Sequence, residues 1–144
     1  MRLSLSDAVH STIIVEACAQ MAHEALRAYG QAVGDPSRVP WEEAPSWQRS
    51  SVIQGVQGVL QGNTPRENHA SWMKQKMLEG WMFGPLKDPE LRTHPRLMPY
   101  DSLPLEQQMK DHLFVGAARA MASALIGTPS IDFTDQPSLP PEPA

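Results

Sequence analysis

The 144-residue sequence lacks several features that mark common protein classes. Cys18 is its single cysteine, which excludes an intramolecular disulfide framework and fits a reducing compartment. The formal net charge is -4, so there is no basic excess of the kind that binds duplex nucleic acid. No apolar run reaches the ~18 residues of a membrane span, and the N-terminal residues turn polar too early for a secretory signal. We therefore expect a cytoplasmic, single-domain protein that contacts neither duplex nucleic acid nor a membrane.

Recognisable catalytic and metal-binding motifs are also missing. The sequence has no nucleophile elbow, P-loop, dinucleotide-binding glycine motif or zinc-protease helix. Its five histidines lack metal-ligand spacing, and Arg27 stands where a zinc helix that starts at His23 would need a second histidine. We therefore predict a protein without enzyme activity, metal or cofactor, and a Cys18 that is small and buried rather than reactive. An enzyme whose site the sequence does not display remains an alternative.

Helix-end signals and apolar spacing predict two long helices. Residues 6–29 form the first, between an N-cap at Ser6 and a stop at Gly30. Residues 102–126 form the last, ended by Gly127. Each contains apolar residues four apart, which form one face: Val9, Ile13, Ala17 and Met21 in the first, and Leu105, Met109, Leu113, Ala117, Met121 and Leu125 in the last.

Two shorter helices lie between them, over residues 47–61 and from Thr64 to about Leu78. The second of these has the clearest start, because Thr64 and Glu67 form a capping box with Pro65 at the first helical position. Two stripes run along it, roughly 100° apart. One consists of Ala70, Met73 and Met77, and the other of His69, Trp72 and Lys76.

The remaining segments are rich in proline. Four prolines exclude a helix over residues 79–103, where we predict short strands near residues 81–83 and 97–98. Residues 127–144 carry five prolines and three acidic residues without Lys or Arg. We predict that this tail is disordered and dispensable, and that residues 1–126 form the single domain.

Aromatic and basic residues are interleaved around the loops and helix ends. Aromatic faces stack on bases, and Lys or Arg holds phosphates, so the mixture favours a mononucleotide or dinucleotide over a long polyanion. Core packing is nevertheless the first interpretation for Trp47 and Trp81. The set comprises Tyr29, Trp41, Trp47, Trp72, Trp81, Phe83 and Tyr100, with Arg27, Lys76, Lys87, Arg92 and Arg96.

Four segments carry a resemblance to a known family: HEALRAY, PWEEAPSWQ, HASWMKQKMLEGWMFGPLKD and HPRLMPYDSLP. They resemble the RyR domain, which occurs as tandem repeats in ryanodine receptor calcium channels and singly in bacterial and phage proteins. The resemblance covers residues 14–118 and implies a mainly α fold with a short β-hairpin. Phe83 stands where the family usually has tyrosine, so a ligand bond through that hydroxyl is missing here. We expect Trp81 and Phe83 to pack inward and hold Lys87 near the third helix.

The resemblance also implies an adenine-nucleotide site. It assigns Trp72 to base stacking and Lys87 to phosphate binding, and it makes His69, Lys76, Asp88 and Arg96 further candidates. Lys87 and Asp88 can equally be a solvated pair. Because the channel repeats work in pairs, the resemblance implies a homodimer in which two Trp72 rings sandwich one ligand ring, with a monomer as the alternative.

These inferences give two functional hypotheses. The first is non-enzymatic sensing or sequestration of a nucleotide-derived small molecule: an adenine nucleotide, a cyclic nucleotide or an ADP-ribose-type signal. Phage–bacteria conflict is a candidate setting for such a protein. The second is a protein-interaction module that binds a peptide in an aromatic groove.

Overall fold

The computed structural model describes the backbone of residues 5–126 and the side chains of residues 11–126. The fold is mainly α with a short β element, as predicted. The predicted tail, residues 127–144, and Gly127 as the last helix stop lie outside the described residues. Within the described range, no helix combines the length and apolar character needed to span a membrane. The elements are α1 (Leu5–Ala32), α2 (Ser46–Leu60), α3 (Pro65–Leu78), β1 (Met82–Phe83), β2 (Thr93–His94) and α4 (Leu105–Ile126), with 3-10 turns at Trp41–Glu43 and Tyr100–Ser102.

The ends of α1 differ from the prediction. Ser6 lies inside the helix rather than capping it, and Gly30 does not stop it, since α1 continues to Ala32. Gly30 is instead the place where the following loop folds back, because the backbone amide of Asp35 donates to the Gly30 carbonyl at 2.7 Å. A Cβ on Gly30 would lie 2.5 Å from the Asp35 carbonyl oxygen, so only glycine permits this approach.

The core lies between α1, α2 and α4, and small side chains dominate it. Cys18 is fully buried, as predicted, and its burial raises the pKa of the thiol. Small residues let the helix backbones approach closely, and α1 packs mainly on α4. The cluster consists of Cys18, Ala19, Ala22, Val52, Val56, Val59, Phe114, Val115, Ala118 and Ala122.

The apolar faces predicted from four-residue spacing are not the buried faces. Ile13 is 58% exposed on α1, and Leu105 is 70% exposed on α4. The buried residues of α1 are Cys18, Ala19 and Ala22, while Phe114 and Val115 of α4 join Ala118 and Ala122 in the core. In α3, Met77 is exposed while His69 and Lys76 are buried, so its inward stripe is the polar one.

The two strands pair in parallel, with Met82 opposite Thr93 and Phe83 opposite His94, so the predicted hairpin is wrong. Between them the chain makes a full loop, closed by an antiparallel bridge from Asp88 to Thr93, and therefore enters β2 in the direction of β1. Gly84 permits this packing, since a Cβ there would lie 2.5 Å from the Thr93 Cβ.

The segment after β2 also differs from the prediction. The second strand lies at residues 93–94, not at 97–98, where Leu97 is instead buried. The last helix begins at Leu105 rather than at residue 102, because Tyr100–Ser102 form a separate 3-10 turn ahead of Pro104.

Candidate functional site

A cavity of about 530 Å³ opens between α2, α3, α4 and the β segment, a size typical of small-molecule pockets. A second cavity of about 660 Å³ adjoins it, on the side of the loop that follows α1. The first cavity combines three tryptophans, one histidine, five basic residues and a single acidic one. These are Trp47, Trp72, Trp81, His94, Arg38, Lys76, Lys87, Arg96, Lys110 and Asp111.

The two ends of α3 position the central residues of this cavity. At its start the predicted capping box is confirmed: Thr64 accepts from the Glu67 amide, and Pro65 occupies the first turn. At its end the amides of Gly80 and Trp81 donate to the carbonyls of Met77 and Lys76, a Schellman motif with Gly80 at a φ of 89°. This cap places the Trp81 ring beside Lys76.

Lys76 lies between two tryptophan rings. Its Nζ is 5.2 Å from the ring centroid of Trp47 and 5.5 Å from that of Trp81, and 3.6 Å from a carboxylate oxygen of Glu79. Attraction between the ammonium group and the two ring faces fixes one wall of the cavity.

Trp72, the predicted stacking residue, lies in the cavity wall with one face already occupied. The Arg96 guanidinium sits 5.0 Å from its ring centroid, and His94 meets it edge-on at 5.0 Å. Trp47 is the more open ring, because it is 59% exposed, so the core interpretation of Trp47 is wrong. Phe83 is 55% exposed and does not anchor the turn, whereas Trp81 is half-buried.

A buried polar cluster of Asp111, Asn68 and His69 supports Arg96 on the side that faces the core. Asp111 accepts from the Asn68 amide at 3.1 Å, and its other oxygen lies 3.9 Å from Arg96 Nη2 and 3.7 Å from His69 Nδ1. His69 Nε2 donates to the Met98 carbonyl at 2.8 Å. His69 therefore supports the wall and does not line the cavity.

Asp88 also lies outside the cavity lining. Its carboxylate accepts from the amides of Glu90 and Leu91, at 3.0 and 3.3 Å, and so closes the turn that leads to β2. Lys87 lines the cavity together with Trp72 and Lys76 of α3. It therefore lies near the third helix, as the family resemblance led us to expect.

Arg38 comes from the loop after α1 and is held by a buried histidine. Its Nη1 donates to His23 Nδ1 at 3.3 Å, while His23 Nε2 donates to the Val39 carbonyl at 2.7 Å. Burial, and after it the charge of Arg96, lowers the pKa of Arg38 to about 10. The charge of Asp35 opposes this shift.

The pKa values of three other cavity residues, Lys87, Lys110 and His94, are also lowered by burial and by neighbouring positive charges. The pKa of Lys87 is lowered by burial and then by Arg38 and Lys76. The pKa of Lys110 is lowered by burial and then by Arg96. Burial together with the neighbouring cations lowers the pKa of His94 to about 3. A bound anion would relieve this repulsion, so the cavity favours a negatively charged ligand.

Four of the six predicted site residues line one cavity: Trp72, Lys76, Lys87 and Arg96. The sequence interpretation missed Arg38, Trp47, His94, Lys110 and Asp111 as members of the site. For Trp47 the available signal was its membership of the aromatic and basic set, which the core interpretation set aside. Within residues 11–126 no group of three His, Cys, Asp or Glu residues is arranged to hold a metal ion.

No curated protein matches the chain. The sequence model of the RyR domain matches residues 51–122, which are 72 of the 144 residues. The matched region runs from α2 into α4 and includes Trp72, Lys76, Lys87 and Arg96, whereas Arg38 and Trp47 lie before it. The chain belongs to the RyR domain family.

Proposed function

We propose that this protein binds a nucleotide-derived small molecule without transforming it, as a sensor or a sequestering protein. The observation that carries the proposal is the meeting of five basic residues and three tryptophans around one cavity. Cations hold phosphate groups, and tryptophan faces stack on bases. The ligand class is therefore an anion that carries a flat ring.

The clustering of charge is not a consequence of composition. The chain has 12 Lys and Arg against 16 Asp and Glu, yet the cavity is lined by five of the basic residues and by Asp111 alone among the acids. Repulsion among clustered, partly buried cations costs stability, and anion binding is a use that accounts for the cluster.

We assign roles within the site on the basis of its geometry. Trp47 presents the more open ring face, and Lys87 and Lys110 are the flexible cations suited to phosphate oxygens. Arg96 is held in place by Asp111 and by the Trp72 ring. Adenine nucleotides, cyclic nucleotides and ADP-ribose derivatives all have the required chemistry. Binding alone would be enough for a cytoplasmic sponge of such a signal in phage–bacteria conflict.

Replacing Lys87 with glutamine tests the site directly. We expect the affinity for AMP, cyclic AMP or ADP-ribose, measured by calorimetry, to fall about tenfold, because one charge-assisted phosphate contact is lost. Lys74→Gln is the matched control, since Lys74 lies exposed on α3 and does not line the cavity. In a thermal-shift assay, a ligand at 100 times its Kd should stabilise the wild type by about 2.7 kcal/mol.

Equal losses in the two lysine variants would show that binding occurs elsewhere on the surface. If no nucleotide stabilises the protein while an acidic peptide does so through Lys87, the site belongs to a peptide-binding module instead.

We extend the proposal to a homodimer, because two-fold dimers are the commonest symmetric assembly and α4 exposes large apolar side chains, among them Leu113. Light scattering at micromolar concentration should give twice the 15.9 kDa of one chain. Leu113→Glu should return the mass to one chain by placing a charge in the interface. A wild-type mass of one chain, together with tight one-to-one ligand binding, would contradict the dimer.

A further inference from the structure

The two cavities of the site share a wall that is strongly cationic. Eight residues line both cavities, and four of them are basic: Arg38, Lys87, Arg96 and Lys110. We call these four the shared wall. No acidic residue lines both cavities, and every basic residue of the second cavity belongs to this wall. The positive charge is therefore greatest where the cavities meet.

The residues that line only one cavity differ in chemistry. The first cavity, the tryptophan chamber, alone contains Trp72 and Trp81 and is rich in side-chain amides. The second, the apolar chamber, alone contains Phe83, Met98 and Leu103, together with Pro85 and other prolines. The tryptophan chamber thus suits a flat base with polar edges, and the apolar chamber suits a ring that packs on apolar surface.

Each of the two acids of the site lines only one cavity. Asp111 lines only the tryptophan chamber, and Asp35 lines only the apolar chamber. The Asp35 carboxylate is engaged locally, accepting from the Ser37 hydroxyl at 2.7 Å. Among the described residues, neither Lys87 nor Lys110 forms an ion pair. The centre of the site is therefore suited to an anion with more than one charge.

Given the nucleotide binding proposed above, we infer that the ligand has two ends. Its linked phosphates contact the shared wall, its base occupies the tryptophan chamber, and a second ring, a sugar or another base, occupies the apolar chamber. Each cavity alone has the volume of a small-molecule pocket, so a mononucleotide fills one chamber and leaves the other empty. A ligand that spans both gains the second contact without a second loss of translational freedom.

Calorimetry with ADP and ADP-ribose tests this inference, because the two probes share the adenosine and the diphosphate and differ in the second ribose. ADP-ribose should bind about tenfold more tightly than ADP. Phe83→Ala should remove most of that difference and leave ADP binding unchanged, because Phe83 lines only the apolar chamber. Lys110→Gln, in the shared wall, should weaken both probes alike. Melting temperatures confirm that the variants are folded.

The outcomes separate this inference from the proposed function. If ADP and ADP-ribose bind equally well, or if Phe83→Ala weakens neither or both, the two-ended ligand is wrong and nucleotide binding stands. If neither probe binds while AMP or cyclic AMP does, the two-ended ligand is wrong and nucleotide binding stands. If none of the four binds, both proposals are wrong.

Discussion

Replacing Asp111 with alanine is expected to lower the free energy of unfolding by about 3–5 kcal/mol. Asp111 is only 3% exposed, and its two oxygens face Asn68 on one side and Arg96 and His69 on the other. Removal of the carboxylate would leave a buried guanidinium without its counter-charge and a buried amide without its acceptor. Because domains of this size have about 5–15 kcal/mol of stability in all, urea denaturation should detect the loss easily.

Two further variants show how much of the stability loss in Asp111→Ala comes from the missing charge. Asp111→Asn keeps the shape and an acceptor for Asn68, so it should cost less than the alanine variant, and the remaining loss measures the charge. Replacing the pair together, with Arg96→Met and Asp111→Leu, should restore part of the stability, because no unpaired charge is then buried. A cost below about 1 kcal/mol for Asp111→Ala would show that the cluster is not the support of Arg96.

The Asp111 cluster also connects the stability of the fold with the site. Arg96 stacks on Trp72 and lies in the wall that both cavities share, so the buried carboxylate under it fixes a cation at the surface of the cavity. Burial raises the pKa of Asp111, an effect that the neighbouring charge of Arg96 opposes. We therefore expect an anion bound in the cavity next to Arg96 to change the pKa of Asp111.

Capping and helix-spacing rules correctly predicted features that depend only on residues close together in the sequence. The start of α3 was correct because a capping box and Pro65 act within four residues. Lys76 and Trp72 were correctly placed together because positions four apart share a helix face. The family resemblance placed Lys87 near them, which no periodicity would do, because its position depends on the loop between β1 and β2.

Tertiary packing decided what the sequence could not. The buried face of α1 carries Ala19 and Ala22, and spacing alone does not show that a helix buries its small residues and exposes Ile13. The parallel pairing of the strands depends on the bridge between Asp88 and Thr93. Nothing local brings Arg38 to the cavity.

Acidification is expected to destabilise the protein through His94. The Arg96 amide donates to its Nδ1 at 3.1 Å, which holds the ring in its neutral form. Burial, followed by the charges of Arg96, Lys87, Lys110 and Lys76, lowers the pKa of His94 from 6.5 to about 3. Between these values the unfolded chain binds a proton that the native protein does not. This stability is therefore present above pH 6.5 and lost as the pH falls towards 3, by at most about 5 kcal/mol.

Urea denaturation between pH 4 and 7 measures the effect when the wild type is compared with His94→Asn, which keeps an acceptor for the Arg96 amide but cannot be protonated. The wild type should lose up to about 1.4 kcal/mol per pH unit more than the variant, the contribution of one proton. Burial also lowers the pKa of His23, but that residue is present in both proteins and cancels in the difference. Parallel slopes for the wild type and His94→Asn would mean that the cations of the cavity do not act on His94, and would weaken the case that they surround one shared anion site.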